Sequence, residues 1–209
     1  MPHEQNMENL IADLLAPPQL FDSDTVVFMV YKQGFMGCGI HGLDTTLSGA
    51  IELAQFAADN DRDVYHSYDI YPVPLNRPPA FPNINQIYQS GWMNQEPLFS
   101  TRKKNYNEPR KFFSTVTEHD TIFYVIYYHQ KNGYSGIWAV SKSVERAASI
   151  LKKAQASDND TITISNIYRI PLGKPPSPGS NYKDDKGWMN LSPVDISHLE
   201  TVSNPETLV

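Results

Sequence analysis

An internal repeat constrains this chain more than any other feature of its sequence. The stretch 24–31, Asp-Thr-Val-Val-Phe-Met-Val-Tyr, returns 96 positions later as 120–127, Asp-Thr-Ile-Phe-Tyr-Val-Ile-Tyr. The segment Gly-Trp-Met-Asn also occurs twice, at 91–94 and at 187–190. The offset between matching residues stays between 96 and 99 through the strands, caps and stops of both copies, in one consistent order. This regularity indicates a tandem duplication of one folding unit.

The first copy is predicted to be a ββαβ unit. Residues 25–31 are rich in β-branched and aromatic side chains, which favour a strand. A glycine-rich turn leads into a second strand at 40–43. Asp44 is the predicted N-cap of a helix over about 46–58, where apolar residues follow helical spacing. A third strand, 64–75, runs into proline.

The second copy has the same pattern. Residues 122–128 and 136–140 are the predicted hairpin strands, and Ser141 stands where Asp44 stands in the first copy. The following helix keeps its apolar face, and 167–172 matches the end of the first copy's third strand. We therefore expect an α+β fold made of two small, mainly antiparallel sheets with one helix each, related by a pseudo-twofold axis.

The order of strands follows from the handedness of the crossover. A right-handed crossover helix places the third strand beside the first, antiparallel to it, so the first strand is central. Its residues are apolar on both faces, and we expect both faces to be covered. One helix covers one face, so the second cover must be the partner unit, the N-terminal helix or the segment that ends in Gly-Trp-Met-Asn. We expect the two units to pack back to back or edge to edge. In the third strand, Ile70 and Ile167 break the alternation, which indicates either a bulge or a buried far face.

The remaining segments complete the predicted division of the chain. Residues 6–15 show a helical apolar stripe that ends at two prolines, which predicts a short N-terminal helix. The tail after the second unit is polar, and we expect it to be an extended arm. The expected parts are the lead-in with this helix (1–23), the first repeat (24–94), the basic and aromatic connector (95–119), the second repeat (120–190) and the tail (191–209).

Bulk composition excludes several classes of protein. A formal net charge of −6 gives no reason for the whole surface to attract nucleic acid or an anionic membrane. The single cysteine, Cys38, excludes an intramolecular disulfide. No signal peptide and no apolar run of membrane-spanning length is recognisable, so we expect a cytoplasmic protein with no membrane partner.

The repeated tryptophans are the first candidate site. Trp92 and Trp188 occupy matching positions, and exposed tryptophan is enriched in binding hot spots. The alternative is that each ring packs on the sheets, with its N–H bonded to a backbone carbonyl. A folding need shared by both copies explains the retention of a bulky aromatic residue at least as well.

The connector is the second candidate site. Basic residues mixed with aromatic ones can hold single-stranded nucleic acid through phosphate contacts and stacking. The same residues could instead anchor a linker while their charges face water, and the acidic balance of the chain argues against nucleic acid. The candidate residues are Arg102, Lys103, Lys104, Tyr106, Arg110 and Lys111.

Catalytic and metal-binding patterns are weak. Cys38 and His41, with His66 further on, could form a metal site or a Cys–His pair, but two ligands without a second cluster do not close a zinc site. No phosphate-binding loop, Gly-x-Ser-x-Gly or His-Glu-x-x-His stretch is present. We therefore assign no catalytic residue, metal or cofactor, and we expect the protein not to be an enzyme.

The functional expectation is a non-enzymatic interaction protein that binds a macromolecular partner, most simply another protein. The tandem ββαβ plan, small size and missing chemistry suggest a phage or mobile-element accessory protein that blocks a host factor. The alternatives are nucleic-acid binding through the connector and a structural subunit of a larger assembly, including a homo-oligomer.

Overall fold

The computed structural model describes residues 25–34, 38–61, 65–79, 90–101, 121–130, 135–157, 162–176 and 185–201. The predicted N-terminal helix, the turn at 131–133 and the helix stop at 158–160 lie outside these ranges. The described elements are β1 (Val26–Gln33), β2 (Gly39–Asp44), α1 (Leu47–Asn60), β3 (Ser67–Pro74), β4 (Phe99–Ser100), β5 (Ile122–Gln130), β6 (Ser135–Ser141), α2 (Val144–Ser157) and β7 (Ile162–Pro171).

Each repeat is a ββαβ unit with its first strand in the centre, as predicted. The strand orders are β2-β1-β3-β4 and β6-β5-β7, and the pairings of β1 and β5 with their neighbours are antiparallel. The short strand β4 is an addition that the repeat pattern did not predict. It lies at the start of the connector and extends the first sheet by one strand.

The two sheets pack face to face with a helix on each outer side. Inward side chains of both sheets form one shared cluster that includes Val27, Tyr31, Val125 and Tyr127. The opposite face of each sheet carries α1 or α2, in two separate clusters. The central strands are therefore covered on both faces, and the partner repeat is one of the covers. The result is a four-layer α–β–β–α arrangement.

The irregularity predicted for the third strand lies elsewhere. β3 pairs with β1 without a register shift, and Ile70 is buried under α1, so the alternative of a buried far face is the correct one. β7 has a register shift near its start, opposite His129 and Gln130 and away from Ile167. Bulges at matching positions fall in β2 and β6, where the register skips one residue. The skipped residues are His41 and Trp138, at matching positions of the two repeats. A bulge changes the direction in which a side chain points, and here it changes those of His41 and Trp138.

The predicted N-caps, Asp44 and Ser141, were each two residues too early. The side chain of Thr46 accepts from the Gly49 N–H at the start of α1, and Ser143 plays this role for α2. Asp44 accepts from the backbone N–H of Thr46, so it closes the preceding turn. Both pairs of residues are good capping types, and only the turn geometry decides which of them meets the helix.

The Gly-Trp segments are exchanged between the repeats. Gly91 forms a bridge to Ile137 on β6 of the second repeat, and Gly187 forms one to Ile40 on β2 of the first. Both glycines have a φ of 61°, a conformation that favours glycine. On the receiving strand, a Cβ at Gly39 would collide with the Lys186 carbonyl. Each repeat therefore closes the free sheet edge of the other.

The chain leaves both repeats in the same way. Leu98 N–H donates to the Ile70 carbonyl on β3, and Val194 N–H donates to the Ile167 carbonyl on β7. Part of the C-terminal tail thus lies against the second repeat, where Val194, Ile196 and Leu199 pack on the outer cluster. We call 95–101 and 191–201 the exit segments.

Candidate functional site

The structure places the predicted site residues in very different environments. Trp92 is 0% exposed, whereas Trp188 is only partly buried against the shared core. The six connector residues lie outside the described ranges: Arg102, Lys103, Lys104, Tyr106, Arg110 and Lys111. Their contact with a partner stays a prediction.

Both tryptophan side chains have the indole N–H bonded to a backbone carbonyl, as expected if each ring packs on the sheets. The indole N–H of Trp92 donates to the Arg77 carbonyl, and that of Trp188 donates to the Lys174 carbonyl, each at 3.2 Å. Arg77 also places its guanidinium over the Trp92 ring, 5.1 Å from the centroid. Trp92 offers no ring surface to a partner in this structure, because its side chain is enclosed.

The two exit segments begin with different residues after the Gly-Trp-Met-Asn segments. In the first repeat, Gln95 donates to the carbonyls of Trp92 and Pro72 and so holds a polar side chain over this segment. At the matching position of the second repeat stands Leu191, which is 56% exposed and whose N–H donates to the Trp188 carbonyl. Trp188 and Met189 are partly buried against the shared core, and Leu191 is exposed. We call these three residues the Trp188 patch.

In the structure, Cys38 does not share the environment of His41 and His66. Cys38 is exposed and its thiol donates to the Gly34 carbonyl at 3.1 Å. His41 and His66 are instead buried parts of one polar cluster in the first repeat. Among the described residues, no group of three or more His, Cys, Asp or Glu side chains could hold a metal ion.

Asp61 is the centre of this polar cluster. Its Oδ2 lies 3.2 Å from the Lys32 ammonium and 2.9 Å from His66 Nδ1, and it accepts from the Tyr68 hydroxyl at 2.7 Å. The Lys32 and Asp61 side chains are 1% and 5% exposed. Asp61 is also the C-cap of α1, so a buried cation lies beside the negative end of the helix. The cluster fixes the helix end onto β1 and β3.

His41, the bulge residue of β2, borders the cluster. Its ring meets the Tyr68 ring edge to face, with centroids 5.0 Å apart, and its Nε2 has no hydrogen-bond partner among the described residues. Burial lowers the His41 pKa to about 4, and Lys32 adds to this, against the opposing field of Asp185. Burial also raises the Tyr68 pKa, and the Asp61 carboxylate adds to this effect. Both rings are neutral at pH 7.

In the described part of the second repeat, the positions that match Lys32 and Tyr68 carry other side chains, and the residues that match Asp61 lie outside the described ranges. The strand registers place Tyr128 at the position of Lys32, and Ser165 at that of Tyr68. The bulge residue Trp138 meets the Tyr128 ring edge to face at 5.5 Å. The same space is thus filled by charges in one repeat and by two aromatic rings in the other. The signal was visible in the sequence as a lysine within an apolar strand.

A cleft opens at the pseudo-twofold axis between the repeats. Tyr31 and Tyr127, matching residues of β1 and β5, approach each other there with hydroxyl oxygens 3.3 Å apart. The cleft has a volume of about 350 Å³. The described residues that line it carry no formal charge in their ordinary state at neutral pH. The lining residues are Tyr31, Gln33, Gly34, Cys38, Ser90, Met93, Tyr127 and Ser135.

A chain of hydrogen bonds crosses the floor of the cleft. It runs from Tyr31 through Tyr127 to Ser135, whose Oγ lies 2.5 Å from Nδ1 of His129. Burial raises the pKa of both tyrosines, and burial with the nearby Lys186 lowers that of His129. All four groups are therefore uncharged at pH 7, and each can act as donor or acceptor. The arrangement is suited to hydrogen bonding and contains no group activated for proton transfer.

Comparison of the chain with protein-family models, with curated proteins and with solved structures gave no match. In the part of the chain that the structure describes, neither helix is long and apolar enough to cross a membrane.

Proposed function

We propose that this protein acts by binding another protein and catalyses no reaction of its own. The Trp188 patch carries this proposal. It combines an exposed leucine with a tryptophan and a methionine that are only partly buried, and tryptophan is among the side chains enriched at positions that dominate binding energy. If the chain comes from a phage or mobile element, a host factor is the partner that we expect.

The difference between the repeats supports a binding role for the patch. The fold needs a Gly-Trp segment at this place in both copies, and the first copy meets that need with a buried Trp92 and a polar Gln95. Exposure of Leu191 beside Trp188 is therefore not required by the fold. An exposed leucine at a position where the other copy has a hydrogen-bonded glutamine is what a partner that binds on one side would select.

The chemistry of the described residues agrees with binding. Lys32, His66 and Tyr68 all interact with the Asp61 carboxylate in a buried cluster at the end of α1. The described residues that line the cleft carry no formal charge, and burial raises the pKa of both tyrosines. Both phenols therefore stay protonated at neutral pH and cannot accept a proton as general bases.

The test is affinity capture with the variant Leu191→Gln, which gives the second repeat the residue type of Gln95. The wild-type protein should recover a partner that saturates at about micromolar concentration, and the variant should lose at least about tenfold in affinity. Leu98→Gln is the matched control, because Leu98 is exposed to nearly the same extent, 53%, in the exit segment of the first repeat.

Equal recovery by wild type, Leu191→Gln and Leu98→Gln would contradict the proposal, and so would the absence of any saturable partner. The nucleic-acid alternative stays a prediction, since its residues lie outside the described ranges. Binding that falls with salt and depends on Arg102, Lys103 and Lys104 would favour it. Self-association of the purified protein would favour a homo-oligomer or structural subunit.

A further inference from the structure

We propose that the cleft at the pseudo-twofold axis is a separate binding site for a small, uncharged molecule that carries hydroxyl groups. This site does not include the Trp188 patch, and the proposal holds whether or not that patch binds a protein. Its volume of about 350 Å³ is within the range of small-molecule sites, which occur preferentially between structural units.

The preference for an uncharged molecule follows from the lining. Among the residues that the structure describes, the lining side chains carry hydroxyl, amide, thiol and thioether groups, and none of them supplies a formal charge that could compensate a charged ligand. Moving a charge out of water without such compensation is costly. A ligand with a phosphate or carboxylate group would pay this cost, whereas its neutral counterpart would not.

The preference for hydroxyl groups follows from the hydrogen-bonded chain on the floor. The side chains of Tyr31, Tyr127 and Ser135 end in hydroxyl groups, and each hydroxyl can donate one hydrogen bond and accept two. The bonds between them leave unused capacity, and the 3.3 Å separation of the tyrosine oxygens is long for two hydroxyls. A ligand hydroxyl has the same double character, so it can bond the chain in either direction.

The two repeats contribute unequally, which gives the site two different walls. Tyr31 faces its counterpart Tyr127, and Cys38 stands at the position that Ser135 occupies in the second repeat. Gln33 and Met93, in contrast, come from the first repeat alone. The site is thus able to distinguish the two ends of a ligand.

The experiment uses the full chain and two pairs of probes, glucose with glucose 6-phosphate and adenosine with adenosine monophosphate. Amide NMR shifts of Gly34 and Ser135 report binding, and the alkylation rate of the single thiol, Cys38, reports occupancy. We expect at least one neutral probe to saturate at or below about 10 mM and its phosphorylated partner to bind at least tenfold more weakly. The sugar and nucleoside arms identify which hydroxylated class fits.

Two variants test the assignment to the cleft. Tyr31→Phe removes one hydroxyl of the floor and should weaken the bound probe roughly three- to tenfold, the value of one hydrogen bond. Tyr168→Phe, a core tyrosine that does not line the cleft, should leave affinity unchanged. The proposal is overturned if no neutral probe saturates, if the phosphorylated partners bind as tightly, or if both variants lose affinity equally.

Discussion

The two repeats share a framework and differ in what they bury within it. Both have a central strand, a bulge in the following strand, a helix capped by a hydroxyl and a Gly-Trp segment that crosses to the other sheet. Under its helix, the first repeat buries Lys32 with Asp61, whereas the second places the ring of Tyr128 against Trp138. The same fold therefore accepts either a buried ion pair or a pair of aromatic rings at these positions.

The features that both repeats share can be distinguished from those that occur in one repeat only. What both copies have is what the ββαβ unit needs, and what only one copy has needs a different explanation. Replacing a buried ion pair by apolar residues is often neutral in energy, so the aromatic solution of the second repeat is no less adequate. The ionic cluster of the first repeat and the Trp188 patch of the second are therefore the two places where the copies have specialised.

The largest expected effect concerns the paired tryptophans. Trp92→Ala should lower the free energy of unfolding by about 4 kcal/mol, because it leaves a cavity in the shared core. Trp188→Ala should cost roughly half as much or less, because its ring is already partly exposed. Urea denaturation of both variants measures the difference. Equal losses would mean that the two rings are equally buried in solution.

The ionic cluster should give the next largest effect. Lys32→Met removes the cation beside Asp61 and should cost about 3 kcal/mol, because a buried carboxylate loses one of its partners. Tyr128→Phe, the matched change in the second repeat, removes only a hydroxyl and should cost about 1 kcal/mol.

A double variant completes the test of this cluster. Lys32→Met combined with Asp61→Asn should cost less than the sum of the two single changes, since the pair is removed together. Denaturant titration of the four proteins gives the coupling energy. Additive losses would show that Lys32 and Asp61 do not interact in solution.

The pH dependence should distinguish His41 from its counterpart Trp138. Since burial holds the folded His41 pKa near 4, below its ordinary value of 6.5, the unfolded chain takes up this proton first. The resulting stability is fully present above pH 6.5 and is lost as the pH falls towards 4. At pH 5 the free energy of unfolding should be about 2 kcal/mol lower than at pH 7. His41→Phe should have a flatter profile, and parallel profiles would contradict this account.

The smallest effect should be the same in both repeats. Thr46→Ala and Ser143→Ala each remove a side chain that accepts from a helix N–H, and each should cost about 1 kcal/mol. Thermal unfolding of the two variants tests this equality. A loss confined to one variant would show that the caps are not equivalent parts of the shared framework.

Much of the fold could be predicted because the repeat supplied each element twice. The central strand, its antiparallel neighbours and the covered faces all followed from periodicity and crossover handedness. The exchange of Gly-Trp segments could not be predicted, since the spacing along the chain is the same whether Gly91 returns to its own sheet or crosses to the other. The capping residues were shifted because Asp44 closes a turn that sequence patterns do not resolve.

The candidate sites were harder to predict than the fold. Lys32, His41 and Asp61 lie on different elements, and only the bulge in β2 and the end of α1 bring them together. A difference between copies was the available signal, since Lys32 matches Tyr128 and His41 matches Trp138. After the Gly-Trp-Met-Asn segment, the first repeat has a hydrogen-bonded Gln95 and the second has an exposed Leu191, a contrast that repeat matching does not weigh.

Native-state hydrogen exchange tests the central claim, that the two repeats form one interlocked body around a shared core. The amides of Val30 in β1 and Ile126 in β5 occupy matching central positions. Their opening free energies should agree within about 0.5 kcal/mol, and Trp92→Ala should lower both by the same amount. Opening of one repeat at a free energy several kcal/mol below the other, or a loss confined to the first repeat in Trp92→Ala, would contradict it.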